Sequence, residues 1–167
     1  MKSLKKINNE VYYVKKGIEF ISQKHISFLK KRVKFTKRKR VRICLHKNQK
    51  SKLHEMIIIL SKDTYIRPHK HIDKAESLHV IEGSADVIFF DYKGKIIKKI
   101  RLTAKKDKFT FYYRLSSSVF HTFKLKSKHF IFHETTEGPL LKKKTIYAKW
   151  SPSENNQFEV KKFINTL

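Results

Sequence analysis

Eight short apolar segments follow one another between residues 54 and 135, and this succession indicates an all-β fold. Each segment is at most eight residues long, and many are rich in β-branched or aromatic residues, which favour strands. Turn-forming residues separate many of them, and residues 91–94 predict a hairpin turn. Strands at about ten-residue spacing indicate a sandwich or a closed barrel such as the jelly roll. The predicted strands are 54–61, 64–71, 77–83, 85–91, 95–102, 109–115, 119–125 and 129–135.

Helical patterns lie towards the two ends of the chain. Residues 22–33 carry apolar side chains at three-to-four spacing behind Ser22, which suits an N-cap, so they predict an amphipathic helix. Residues 153–166 predict a second helix, capped by Ser153. The segment before it predicts irregular structure anchored by Trp150.

The chain of 167 residues is expected to form one domain with one core, since no low-complexity linker divides it. Short strands are predicted at 9–14 and 41–46. We therefore divide the domain into an extension at 1–40, a barrel at 41–140 and a C-terminal segment with its helix at 141–167.

The stretch 64–83 concentrates residue types that bind divalent metals. His69 and His71 are two residues apart, so on a strand their side chains point to the same face. Glu76 follows after four intervening residues, and Gly83 after six more. A single histidine is more often exposed or hydrogen-bonded than a ligand, but imidazoles combined with a carboxylate suit Zn, Mn, Fe, Co or Ni. The combination therefore predicts a metal site.

This spacing matches the first motif of the cupin superfamily, which the chain resembles. The resemblance implies a double-stranded β-helix (jelly-roll) barrel and a fourth ligand from a later strand. His121 stands at the histidine position of the second cupin motif, whereas Ser116, Ser118 and Leu125 replace its usual Pro, Gly and Asn. The resemblance thus implies one divalent transition metal held by His69, His71, Glu76 and His121.

A narrower resemblance links the chain to the WbuC family of cupin-fold metalloproteins. It is carried by residues 42–96, 109–122, 130–140 and 148–152, of which the blocks RPHKH…K.E and HETTEGP are the most specific. The family resemblance implies a bound divalent metal. Some members are encoded among genes for surface-polysaccharide and amino-sugar synthesis, but no reaction is firmly established for the family.

Two cations flank the predicted ligands. Arg67 lies two residues before His69 and shares its strand face, and a cation beside a metal is costly unless it meets an anion. Arg67 is therefore expected either to bind an anionic substrate group or to form a salt bridge with Glu76 or Glu134. Lys74 is expected to be a surface residue of the loop or, by the family resemblance, a substrate-binding residue.

Glu134 and His79 are the candidate proton-transfer residues. Glu134 follows His133 directly, so only one of the two can face inward on a strand. An inward Glu134 would be a general base or would accept a hydrogen bond from a ligand histidine. His79 would be a proton donor if it faced inward, and otherwise a core or rim histidine.

The net charge of +26 raises the alternative of nucleic-acid binding, centred on the basic run 31–42. The other lysines are spread along the chain and no nucleic-acid-binding motif is present, so this alternative is disfavoured. No apolar run approaches the roughly 20 residues of a membrane span. The lone Cys44 fits a reducing compartment, so a cytoplasmic protein is expected, and the cupin resemblance implies a homodimer.

Three functions stay open at this point. The first is a metal-dependent enzyme, an isomerase or epimerase, acting on a small anionic or sugar-like substrate. The second is a non-catalytic module that binds a sugar or metabolite. The third is an Fe(II) oxygenase, which requires open coordination positions as well.

Overall fold

The chain folds into two facing β-sheets with a helix near each end. The computed structural model describes residues 4–15, 17–105 and 110–167. Its elements are β1 (Leu4–Lys6), β2 (Val11–Val14), α1 (Gln23–Val33), β3 (Arg40–Cys44), β4 (Leu53–Ser61), β5 (His69–His71), β6 (Glu76–Glu82), β7 (Ser84–Phe90), β8 (Ile96–Thr103), β9 (Tyr112–Leu115), β10 (Phe120–Leu125), β11 (His129–Glu137), β12 (Thr145–Tyr147) and α2 (Gln157–Thr166).

The connectivity of strands β4 to β11 is that of a jelly roll. One sheet contains the order β4-β11-β6-β9, and the other contains β5-β10-β7-β8. The chain therefore alternates between the sheets, except at the β7–β8 hairpin. Strands β1 to β3 extend the first sheet and β12 extends the second. The predicted all-β fold, a cupin-type double-stranded β-helix barrel, is confirmed.

Alternation along the strands sorts side chains into two buried clusters. Even-numbered residues of β4, β6 and β11, such as Met56, Leu78 and Phe132, face the space between the sheets. Odd-numbered residues of β4 and β11, such as Ile59, face outward and are covered by α1 through Leu29. This parity decides which polar residues enter the barrel.

The first helix begins where the sequence predicts. Ser22 precedes α1 in an extended conformation, and its backbone N–H donates to His25 Nδ1 at 3.2 Å, which satisfies a donor at the helix start. Neither α1 nor α2, the helices of the described ranges, is long and apolar enough to cross a membrane.

Three predicted boundaries differ from the structure. The second helix starts at Gln157 and not near Ser153, because the Asn156 side chain accepts a hydrogen bond from the Glu159 N–H. The segment predicted to be irregular contains β12, which pairs with β5. The predicted strand 64–71 is regular only at β5. Phe109 of the predicted strand 109–115 lies outside the described residues.

Asp86 is a buried carboxylate on the outer side of the second sheet, with 2% of its surface exposed. Arg101 pairs with it, Lys126 Nζ lies 3.3 Å from its Oδ2, and Lys99 Nζ lies 3.7 Å away. Burial raises the pKa of Asp86, but the hydrogen bonds and charges of Arg101 and Lys126 outweigh burial and lower it.

Asp86→Asn is expected to lower the free energy of unfolding by about 1–3 kcal/mol at neutral pH, less than for a fully buried pair because the cations are partly exposed. The pKa of Asp86 is lower in the folded protein than in the unfolded chain. Its contribution to stability is therefore complete above the pKa of the unfolded state and is lost as the pH falls through the pKa of the folded state. Urea unfolding of the wild-type protein and of Asp86→Asn at decreasing pH will show that the difference between their free energies of unfolding becomes smaller. A difference in the free energy of unfolding that stays constant down to acidic pH would contradict the stabilising role of the ionised Asp86.

Candidate metal centre

Three histidines converge inside one end of the barrel. His69 and His71 lie on β5, and His121 lies directly opposite His69 on the neighbouring strand β10. One ring nitrogen from each lies within 4.8 Å of the others. The strand pairing that builds the second sheet therefore also assembles the three imidazoles.

Each of these rings is held through its Nδ1 atom. The carbonyl oxygen of Arg67 lies 2.9 Å from Nδ1 of His69, and that of Val119 lies 3.0 Å from Nδ1 of His121. A carbonyl only accepts, so in both rings Nδ1 carries a proton and Nε2 is the atom left to bind a metal. The third ring, His71, has Thr145 Oγ1 at 3.2 Å from Nδ1. Fixing the ring in this way is the usual arrangement around metal-binding histidines.

Glu76 brings a carboxylate from the opposite sheet. Its Oε1 lies 3.1 Å from Nε2 of His121, and its Oε2 lies 3.4 Å from Nε2 of His71. Two ligands that each lie about 2.0–2.1 Å from one metal are separated by about 3 Å, so these distances fit a shared ion. The donor set of three imidazoles and one carboxylate suits a divalent transition metal.

Charges at the centre give His69 and Glu76 the forms in which they bind a metal. Burial and the neighbouring His121 lower the pKa of His69 to about 3, so His69 is neutral at physiological pH. Burial raises the pKa of Glu76, but His121 and His71 outweigh burial and hold it well below its usual value. Burial also lowers the pKa of His121, yet the Glu76 carboxylate raises it overall. A cation entering here meets an ionised carboxylate and replaces a proton.

Glu134 faces the interior beside this centre. It lies on β11 opposite Leu78, two residues from Thr136, which is paired with Glu76. Burial and the negative charge of Glu76 raise the pKa of Glu134 to about 7. The carboxyl group therefore gains and loses its proton near neutral pH.

His79, the other candidate for proton transfer, does not enter the site. It is exposed on the outer face of β6, because its odd position places it opposite to Glu76 and Leu78. Its ring packs against Phe111 and Tyr112 on that face. The expectation that His79 donates a proton is corrected accordingly.

Arg67 is engaged by the C-terminal segment. It donates to Ala148 O at 3.0 Å, to Ser151 Oγ at 3.2 Å and to Ser151 O at 3.3 Å, and it lies over the Tyr147 ring. Neither Glu76 nor Glu134 has a carboxylate oxygen within 4.0 Å of the Arg67 side-chain nitrogens, so the expected salt bridge is not formed. Its guanidinium instead fixes the segment that carries Tyr147, while its carbonyl orients His69.

Lys74 is half-buried in the loop between β5 and β6. Burial lowers its pKa, whereas the nearby carboxylates of Glu134 and Glu76 raise it. Lys74 also lines a cavity of about 180 Å³ together with Lys52, Asp73, Glu137, Gly138 and Lys144, among others. It therefore stands between this rim cavity and the interior carboxylates.

Two residues at the centre were not among the predicted site residues. Tyr113 donates its hydroxyl hydrogen to Glu76 Oε1 at 3.2 Å. Thr145, which contacts His71, lies in the segment predicted to be irregular. Strand parity would have placed Tyr113 inward with Leu115, but no local signal marks Thr145.

Comparison with protein families matches one part of the chain. A family model described as a domain of unknown function (DUF6016) matches residues 21–102, just under half of the chain. That region contains His69, His71 and Glu76 and ends before His121. Among curated proteins, no sequence matches significantly. The WbuC resemblance stays a prediction.

Several solved structures are similar to the chain at low sequence identity. Protein SO0799 from Shewanella oneidensis has a TM-score of 0.50 at 6% identity, over 62% of this chain and 66% of that chain. Oxalate decarboxylase from Bacillus subtilis has a TM-score of 0.46 at 21% identity, over 57% of this chain and 24% of that one. Procruciferin, an 11S globulin from Brassica napus, has 0.43 at 12%, over 53% and 21%. The aligned part is less than two thirds of each of these structures. The Shewanella protein supports the fold and nothing beyond it.

Proposed function

We propose that the protein is a metal-dependent cupin that moves a proton on a small anionic substrate, a sugar or sugar-derived acid, as an isomerase or epimerase does. The observation that carries the proposal is the convergence of three Nε2 atoms and the Glu76 carboxylate beside an interior carboxyl group with a pKa of about 7. The WbuC resemblance supports a role in surface-polysaccharide synthesis.

The ligand residues would be His69, His71, His121 and Glu76. A divalent cation held there supplies Lewis acidity, which favours negative charge on a substrate oxygen. Tyr113 fixes Glu76 through its hydroxyl, and the backbone carbonyls fix two of the rings. The protein thus holds the four ligands in place before substrate arrives.

Glu134 is the proposed base. Glu134 lies two residues along β11 from Thr136, which is paired with Glu76. Two residues along a strand span about 6.6 Å and point to the same face, here the interior of the barrel. At this separation it faces a molecule bound at the centre and leaves the ligand positions to Glu76 and the histidines. A carboxyl group that titrates near the working pH suits proton transfer in both directions.

The test is proton exchange at carbon. Metal-loaded protein in D₂O is mixed with a panel of sugars and sugar acids, and ¹H NMR follows the loss of C–H signals beside carbonyl groups. Glu134→Gln is expected to keep its metal and to slow exchange by about 10²- to 10⁴-fold, since it removes the base and little volume.

The matched control is Glu55→Gln, on the neighbouring strand at an outward position. Glu55→Gln should catalyse the exchange of substrate C–H hydrogens at the wild-type rate. Exchange that is equally fast in Glu134→Gln would contradict the proposed base. Ligand binding without exchange in the wild-type protein would favour the non-catalytic binding module.

A further inference from the structure

Arg42 is a cation on the inner wall of the barrel that the metal centre does not use. It lies on β3 opposite Ile58 of β4, and the next pair along the strands is Cys44 with Met56. Cys44, Met56 and Ile58 all belong to the interior cluster, so parity directs Arg42 inward as well. Its side chain is partly buried.

No acidic side chain pairs with Arg42. Within the described ranges its guanidinium has one side-chain contact, from Nη1 to Met56 Sδ at 3.8 Å, and no carboxylate oxygen within 4.0 Å. A thioether is a weak acceptor. A guanidinium placed against an apolar wall is costly unless an anion or water satisfies its donors. Arg42 is therefore a cation with open donors directed into the barrel.

Lys74, in the loop between β5 and β6, is a second cation whose charge acts on Glu134. The charges of Arg42 and Lys74 both oppose the rise in the pKa of Glu134, which burial and Glu76 cause. Burial lowers the pKa of His46, and the same two cations lower it further. Arg42 and Lys74 thus act electrostatically on the same two side chains, Glu134 and His46.

We propose that Arg42, assisted by Lys74, binds the anionic group of the substrate, a carboxylate or a phosphate, while the oxygens at its other end reach the candidate metal centre. The proposal rests on the proposed function and assigns its anion-binding residue. The planar fork of Arg42 suits two parallel hydrogen bonds to an oxyanion, and Lys74 adds a point charge.

The Arg42 side chain reaches along the sheet towards the candidate metal centre. Its backbone lies three strand spacings from β6, about 14 Å across the sheet, and four residues along from the level of Glu76, but its guanidinium contacts Met56, the residue paired with Glu134. The cavity that Lys74 lines carries three lysines against the two acidic residues Asp73 and Glu137, so its lining has a small net positive charge that favours the entry of an anion.

The test compares Arg42→Gln with Arg114→Gln in the full-length, metal-loaded protein. Arg114 lies on β9 of the same sheet, is exposed on the outer face and bonds Ser77, so its removal subtracts the same charge outside the barrel. Calorimetric titrations use tartrate as the carboxylate probe, inorganic phosphate as the phosphate probe and galactose as a neutral sugar. Arg42→Gln is expected to weaken binding of the preferred anion by about 10- to 100-fold, whereas Arg114→Gln leaves it unchanged.

Arg42→Lys is the second variant, because it keeps the charge and removes the fork. It should bind the anion with intermediate affinity, and its thermal midpoint shows whether the fold is kept. Preference for tartrate or for phosphate identifies the anionic group. The proposal would be overturned if Arg42→Gln and Arg114→Gln bound the anion with equal affinity. It would also be overturned if the wild-type protein bound neither tartrate nor phosphate.

Metal analysis separates this proposal from the proposed function. Normal metal content together with Arg42-independent anion binding overturns the Arg42 assignment and leaves the metal centre standing. Arg42-dependent anion binding in a protein that takes up no metal supports Arg42 and overturns the metal-dependent function.

Discussion

His121→Ala is expected to lower metal affinity by more than the 10- to 100-fold that loss of an outer partner costs. His121 is 2% exposed and is held by the Val119 carbonyl, and its Nε2 faces Glu76. Removing it deletes one of four ligands and leaves a buried carboxylate with less positive charge nearby. Elemental analysis of purified protein and competition with a chelator give metal content and affinity.

His129→Ala is the matched control, since that ring is partly exposed at the start of β11 and away from the ligands. It should retain full metal. Because a buried ring is lost, His121→Ala is expected to unfold more easily, so His121→Gln provides a variant of closer size with a poorer ligand atom. Full metal content in both His121 variants would rule out the proposed centre.

The ligands were predictable because their signal is local. H-x-H on a strand places two rings on one face, and the spacing to Glu76 fits the short loop that leads from β5 in one sheet to β6 in the other. His121 could be predicted only from the resemblance to a second motif, because no local sequence signal shows that β10 pairs with β5. The structure shows this pairing, in which His121 lies opposite His69.

The surroundings of the ligands were harder to predict, because side-chain direction depends on strand parity and on contacts distant in sequence. Arg67 was expected in the site because it shares parity with His69, yet Ala148 and Ser151, more than eighty positions away, engage it. Strand parity places the His79 side chain outside the barrel and the Glu134 side chain inside it. Parity can be applied only when the strand register is known. Arg42 shows the same limit, since its inward direction follows from its pairing with β4.

Gly83, the last residue of the motif in 64–83, serves the backbone and not the metal. It joins β6 to β7 with φ at +82°, a region that side chains with a Cβ rarely adopt. A Cβ built there would lie 2.0 Å from the backbone carbonyl oxygen of His129 and 2.5 Å from Ser127 Oγ. The first of these atoms belongs to β11, which cannot withdraw without losing its pairing with β6.

Gly83→Ala is therefore expected to lower the free energy of unfolding by roughly 2–5 kcal/mol, from about 1–2 kcal/mol of left-handed strain and about 1–3 kcal/mol of steric overlap. Gly17→Ala is the control, because nothing lies within 4 Å of the added Cβ, and its effect should stay within about 0.5 kcal/mol. Urea unfolding of the metal-free proteins isolates the backbone effect from metal binding. Equal stability of the two variants would show that β11 yields to the new side chain, and Gly83 would then have no backbone role in the motif.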